Sequence, residues 1–104
     1  MVIGVDLGGT QIRAGLEENG QIIHTCSTIL REKNSLNSTL SQLKSLIRNY
    51  VSSDATAIGI GVPSVVDTAQ GIVYNVINIP SWERVELKAI LEEEFNIPVY
   101  INND

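Results

Sequence analysis

Basic residues are scarce: seven Lys and Arg stand against twelve Asp and Glu, for a net charge of −5. They form no cluster, so the basic face that a phosphate-backbone binder needs is missing, which argues against direct nucleic-acid binding. There is one cysteine, Cys26, and one histidine, His24. A lone thiol cannot form an internal disulfide, and no Cys/His pair has metal-ligand spacing; the expectation is a reducing, cytoplasmic location. No apolar run approaches the ~20 residues of a membrane helix. The N-terminus shows no basic stretch leading into an apolar leader. Repeats, low-complexity tracts and linkers are also missing. What remains is a chain of 104 residues with 43% apolar content, enough for one domain with a modest core.

The periodicity then divides the chain. Residues 1–7 alternate as a strand, residues 11–18 (QIRAGLEE) as a second and residues 21–30 (QIIHTCSTIL) as a third. Asn19-Gly20 between the last two is a strong hairpin signal, because both residues tolerate positive φ. From Ser35 the period becomes helical: Leu36, Leu40, Leu43, Leu46, Ile47, Tyr50 and Val51 form one stripe, with Ser35 or Asn34 as cap. Residues 55–62 (ATAIGIGV) read as a central strand buried on both faces. The bareness of Gly59 and Gly61 is read as close helix packing. Asp67 to Gly71 reads as a turn, and residues 72–79 are mildly strand-like. Leu87, Ile90, Leu91 and Phe95 make a second helical stripe, closed by Asn96 and Pro98. Residues 99–101 form the last strand. The acidic run Glu92-Glu93-Glu94 sits against the dipole near that helix's end, and solvation is its only sequence-level account.

The order β-β-β-α-β-α-β predicts an α/β fold: a mixed five-stranded sheet in which an antiparallel three-strand meander is followed by parallel strands, with helices on its faces. Right-handed crossovers place residues 55–62 parallel to the first strand and the last strand beside them.

Chemistry concentrates in Asp6-Leu7-Gly8-Gly9-Thr10. Two adjacent glycines let the backbone turn sharply and approach a ligand. Successive amides make an anion-binding concavity, and Thr10 adds a hydroxyl. Asp6 repels phosphate by itself and makes sense with a divalent cation between, as Mg²⁺ bridges carboxylates, waters and phosphates. The spacing is not the dinucleotide fingerprint, since a strand follows, and it is not a Walker loop, since the Lys is missing.

GVDLGGTQIRAG resembles the first phosphate motif of the ROK family, the bacterial sugar kinases and sugar-sensing repressors of the actin-like ATPase superfamily, with Gln11 where Lys or Asn is usual. GIGVPSVVD (59–67), NIPSW (78–82) and IPVYINND (97–104) continue the resemblance in order. It implies a ribonuclease H-like lobe in which Asp6, Gly8, Gly9, Thr10 and Gln11 bind the phosphates of ATP, Asp6 holding Mg²⁺ through water. It further implies that Ser64, standing where Gly is usual, Asn78 and Asn103 bind sugar, and that Asp104 binds sugar and is the catalytic base. An amide such as Asn78 both donates and accepts, which suits vicinal hydroxyls, and a carboxylate suits deprotonation of the attacking hydroxyl.

Several residues are read as structural. Asp67 is a turn residue, Trp82 a half-buried loop anchor, His24 a strand-surface residue and Cys26 packing. Tyr50, Tyr74, Tyr100 and Phe95 are read as core. Arg13 is either exposed or near the phosphate mouth.

The expectation is therefore the N-terminal lobe, residues 1–104, of an ATP-dependent kinase acting on a hexose, glucose or an N-acetylated hexosamine. The family's second lobe would carry the remaining nucleotide and sugar contacts and any zinc motif, and the lobe alone is expected to be inactive. Partners are expected to be the hexose and, for the full-length protein, a second copy in a homodimer, with no membrane. Two alternatives stay open: the sensing domain of a ROK transcriptional regulator, whose upstream helix-turn-helix is not expected with the glycine loop beginning at residue 4, and a non-catalytic dimerising module.

Overall fold

The computed structural model describes residues 1–52 and 54–103. β1 (Val2–Leu7), β2 (Gln11–Glu18) and β3 (Gln21–Ile29) form the antiparallel meander. The β2–β3 turn is Asn19-Gly20, both at positive φ (54° and 80°), the left-handed pair that fits the twist of a hairpin. α1 (Leu36–Arg48) follows, with the Ser35 hydroxyl accepting the Ser38 amide at 3.1 Å as N-cap. β4 (Ala57–Val62) lies parallel to β1. Three short strands, β5 (Val65–Asp67), β6 (Ile72–Tyr74) and β7 (Arg84–Val85), build a small antiparallel sheet of their own. α2 (Leu87–Phe95) ends on Asn96 in the left-handed region, and β8 (Val99–Asn103) returns parallel to β4. The main sheet has the order β3-β2-β1-β4-β8, as the crossover rule requires.

That order also decides where the helices go. The β3-to-β4 and β4-to-β8 crossovers both move in the same direction across the sheet. Both being right-handed, they place α1 and α2 on one face. Ile3, Val5, Leu7, Ile12, Ala14, Ile58, Ile60, Val62, Val99 and Ile101 point to that face and join Leu40, Leu43, Ile47, Leu87 and Leu91 in one buried cluster. Each Val, Leu or Ile among them contributes about 1.5–3 kcal/mol on full burial.

The opposite face carries Val2, Asp6, Arg13, Glu17 and Tyr100, all exposed. Two expectations are corrected here. β4 is buried on one face only, its residues alternating between half-buried and buried. Gly59 is not a helix-packing glycine: a Cβ on it, or on its neighbour in register Gly4, meets nothing within 4 Å. Glycine runs hide burial because they have no side chain to report it.

The helices are tied to each other by charge. Glu94 on α2 takes Lys44 at 3.3 Å and Arg48 at 2.7 Å, both on α1. The Lys44 hydrogen bond first, then Arg48, hold the Glu94 carboxyl below its ordinary range against an opposing desolvation. Glu92 accepts the Val99 amide at 2.9 Å, capping the start of β8. The acidic run thus joins elements that the sequence separates.

Other aromatic placements differ from expectation. Trp82 is 1% exposed rather than half-buried, and its indole N–H donates to Thr39 Oγ1 at 2.6 Å. Tyr100 is 57% exposed on the open face, with the Lys88 ammonium 5.3 Å from its ring centre, instead of core. Tyr74 and Phe95 are half-buried. Tyr50 is core, as read, and its hydroxyl pairs with His24 Nδ1 at 2.7 Å. Burial first, and then the Cys26 side chain hydrogen-bonded to it, push the Tyr50 phenol up from 10.0 to about 12.

A raised phenol makes the folded state hold its proton more tightly than the unfolded state. The associated stability is whole below pH 10.0 and is lost as pH rises toward about 12. Thermal unfolding followed by circular dichroism should show Tm falling from pH 10.0 upward, with that limb flattened in Tyr50→Phe. An equally steep limb in the variant would assign it to other groups.

Candidate functional site

The β1–β2 loop, residues 8–10, sits at the C-terminal end of β1, where open α/β sheets bind ligands. It is closed by the Gly8 amide donating to Gln11 O at 2.9 Å, and the Leu30 amide donates to Thr10 O at 2.9 Å. These two bonds orient the loop and take up the Gly8 amide and the Thr10 carbonyl. Among the described residues the amides of Gly9 and Thr10 have no backbone partner. Thr10 and Gln11 are exposed and the two glycines half-buried. Free consecutive amides plus a hydroxyl fit an anion such as a phosphate.

Gly9 has a second reason to be glycine. A Cβ there would lie 2.7 Å from Asn78 Cβ and 3.1 Å from Ile77 O. The loop therefore packs backbone-close against residues 77–78. Asn78 is itself held in the left-handed region, with φ 65°, in a segment closed by Val76 N–H to Trp82 O (3.0 Å) and Trp82 N–H to Ile79 O (2.9 Å). The sequence assigned the glycine pair to a sharp turn and ligand approach; this internal contact, between segments remote in the chain, carried no local signal. Gly9→Ala should cost about 1–3 kcal/mol by overpacking, read as a lower urea midpoint at unchanged m. Thr10→Ala, exposed beside it, should stay within about 0.5 kcal/mol. Equal midpoints for Gly9→Ala and the parent would disprove the close contact.

Ile77 also lines a recess of about 500 Å³, together with Pro63, Ser64, Val65, Tyr74, Asn75 and Asn103. Asn103, at the end of β8, donates its side-chain amide to the Ser64 carbonyl, fastening the β4–β5 loop to the sheet. The Ser64 hydroxyl is buried and has no hydrogen-bond partner among the described residues. Asp67 closes the β5–β6 turn, accepting the Gln70 amide at 3.1 Å on its side chain and the Gly71 amide at 2.7 Å on its carbonyl; it is a turn residue, as its sequence context indicated. Ser64 and Asn103 thus border the recess; Asn78 does not line it and adjoins it in the chain through Ile77, the residue whose carbonyl Gly9 also approaches. Asp104 lies outside the described residues.

Asp6 points to the open face, directly opposite Arg13 in the β1–β2 register, and is exposed. It offers a single carboxylate, and no group of three or more His, Cys, Asp or Glu side chains converges among the described residues. A lone accessible carboxylate near a loop able to take an anion fits a cation held mostly by water and that anion, not a protein cage. A different recess, lined by Arg31, Ser38, Gln42 and Asn49, lies between the end of β3 and α1 and holds none of these residues.

The family model described as the ROK family matches residues 2–104. The chain is 30% identical over 109 residues to a glucokinase of Halalkalibacterium halodurans, covering 98% of this chain and 33% of that protein. It is 34% identical over 109 residues to the xylose repressor of Bacillus spizizenii, covering 98% of this chain and 28% of that one. The crystal structure of a ROK family glucokinase from Streptomyces griseus, in complex with glucose and AMPPNP, superposes with a TM-score of 0.84 at 30% identity, over 98% of this chain and 32% of that one. The chain spans about a third of the length of the curated relatives it matches.

Proposed function

Because this chain belongs to the ROK family and has the actin-like ATPase fold of its structural relatives, we propose that it is the N-terminal lobe of an ATP-dependent hexose kinase. The observation that carries this reading is the packing of the Gly9 loop against residues 77–78, since Ile77 also lines the recess that holds Ser64 and Asn103. ATP, when bound, supplies the transferable phosphoryl group. The free amides of Gly9 and Thr10 and the Thr10 hydroxyl would hold its phosphates, with Gln11 at the rim. Asp6 would hold Mg²⁺ through water. Asn78, Ser64 and Asn103 would orient the sugar, and Asp104 would take the proton of the attacking hydroxyl. Positioning supplies much of the rate in such transfers, so residues 1–104 alone should bind weakly and not turn over.

The Bacillus spizizenii relative, a repressor at 34% identity, keeps a sugar-sensing reading as the second. One experiment separates them. The full-length protein is screened for ADP release, through a coupled assay, against glucose, mannose, N-acetylglucosamine, N-acetylmannosamine, fructose and allose. The kinase reading expects turnover with at least one sugar. Sugar binding by calorimetry with no ADP release from any of them would move the assignment to the sensor.

A further inference from the structure

The loop at residues 8–10, Gly-Gly-Thr, offers amides and a hydroxyl to an anion but no full positive charge, and Asp6 beside it adds a negative one. A polyphosphate is held more strongly where a side-chain cation also faces it. The chain has seven Lys and Arg. Lys44 and Arg48 face Glu94, Arg84 faces Glu86 and Lys88 faces Glu92. Lys33 and Arg31 lie in the β3–α1 connection, Arg31 lining the recess beside α1. Arg13 is the cation that β2 sets on the open face. Gln11 and Arg13 are exposed and alternate with the buried Ile12 and Ala14. Both therefore share a face with Asp6, and Arg13 stands about 7 Å along the strand from Gln11 at the loop's edge.

Asp6 and Arg13 are directly opposite in register and of opposite sign, yet they form no ion pair among the described residues. An exposed pair of this kind is worth little, so both groups stay available to a ligand. The next register pair on this face is Gly4 with Gly15, which places no side chain beside them. All four line one recess of about 230 Å³. We propose that Arg13 is a further phosphate-binding residue of the kinase site, its guanidinium holding the terminal phosphates of ATP opposite the Mg²⁺ that Asp6 would hold. This rests on the kinase reading above and adds a residue to it. The planar fork of N–H donors takes two phosphate oxygens at once, which an ammonium does not match. The carboxylate faces the metal and the guanidinium faces the phosphate oxygens, so the unpaired couple grips one metal–polyphosphate from two sides. Because charge is spread over those oxygens in the transition state, Arg13 serves both binding and turnover.

The test titrates the full-length protein and Arg13→Gln with AMPPNP and Mg²⁺ by calorimetry. It also measures KM for ATP and for whichever of the six sugars is turned over fastest. Arg13→Gln should weaken AMPPNP by about tenfold or more, the loss of a charge-assisted contact. KM for ATP should rise and kcat should fall, with KM for the sugar unchanged. Arg13→Lys, which keeps the charge and loses the fork, should fall between the two. Arg13 is exposed, so Arg13→Gln should keep the parent's urea midpoint. Equal AMPPNP affinity and equal KM for ATP in the parent and Arg13→Gln overturn the inference and leave the kinase reading standing. An equal loss of AMP affinity, or a matching rise in KM for the sugar, does the same, since it marks a nucleoside contact or a disturbed fold. No AMPPNP binding and no turnover by the parent remove the kinase reading, and this inference with it.

Discussion

Asp104→Asn in the full-length protein should lower kcat for sugar phosphorylation by about 10²- to 10⁴-fold, the usual contribution of one positioned general base. Sugar affinity by calorimetry should change little, because the amide keeps the size and one acceptor oxygen of the carboxylate. Asn103 ends β8 and is fastened to the Ser64 carbonyl. The residue that follows it directly in the sequence is Asp104. Removing an interaction made only in the transition state lowers kcat and kcat/KM together and spares ground-state binding. A fall in sugar affinity with kcat preserved would make Asp104 a binding group, and unchanged kinetics would require another base.

The parts of the fold legible in the sequence were those written in local chemistry. Asn19-Gly20 specified a positive-φ turn, Ser35 or Asn34 a cap and Asn96 a helix end; the turn and the Asn96 end stand where the residue types require, and the cap is Ser35. Sheet order followed from the hairpin meander together with the parallel crossovers. What escaped was set by contacts across the chain. The two-residue β7 is too short for a period, and it exists because Val85 pairs with Val73 and Arg84 with Tyr74. The acidic run on α2 looked idle until Lys44 and Arg48 were seen facing Glu94. The glycine-rich β4 resembled a doubly buried strand because glycine is silent about its surroundings. The site divides the same way. The glycine loop and the asparagine-bearing segments were recognisable as motifs, and their spacing gave the family. The packing of Gly9 against Asn78 and the unpartnered Ser64 hydroxyl arise from juxtaposition, and no local pattern announces them.

Trp82→Ala should be the most destabilising single change, about 3–5 kcal/mol by loss of a fully buried aromatic and the cavity left behind. A domain of this size has about 5–15 kcal/mol in total, so the variant should be largely unfolded in moderate urea. The effect is more than lost volume. The Trp82 indole N–H donates to Thr39 Oγ1, and the Thr39 hydroxyl donates on to Ser35 O at 3.0 Å, inside the first turn of α1. Thr39 is fully buried, at 0% exposure. Trp82→Phe keeps most of the ring and strands the Thr39 oxygen without its donor, a cost of about 1–3 kcal/mol. Adding Thr39→Val removes the stranded group, so the double variant should be more stable than the sum of the single losses predicts, by about 0.5–3 kcal/mol. Strict additivity in urea titrations would show that the indole contributes by packing alone. If the coupling is found, it also explains how the segment carrying Asn78 stays in place against Gly9. Residues 75–82 are tied to α1 by this buried relay and to the Lys33 carbonyl before it through the Ser81 hydroxyl, and loosening the relay should raise KM for sugar even in variants that remain folded.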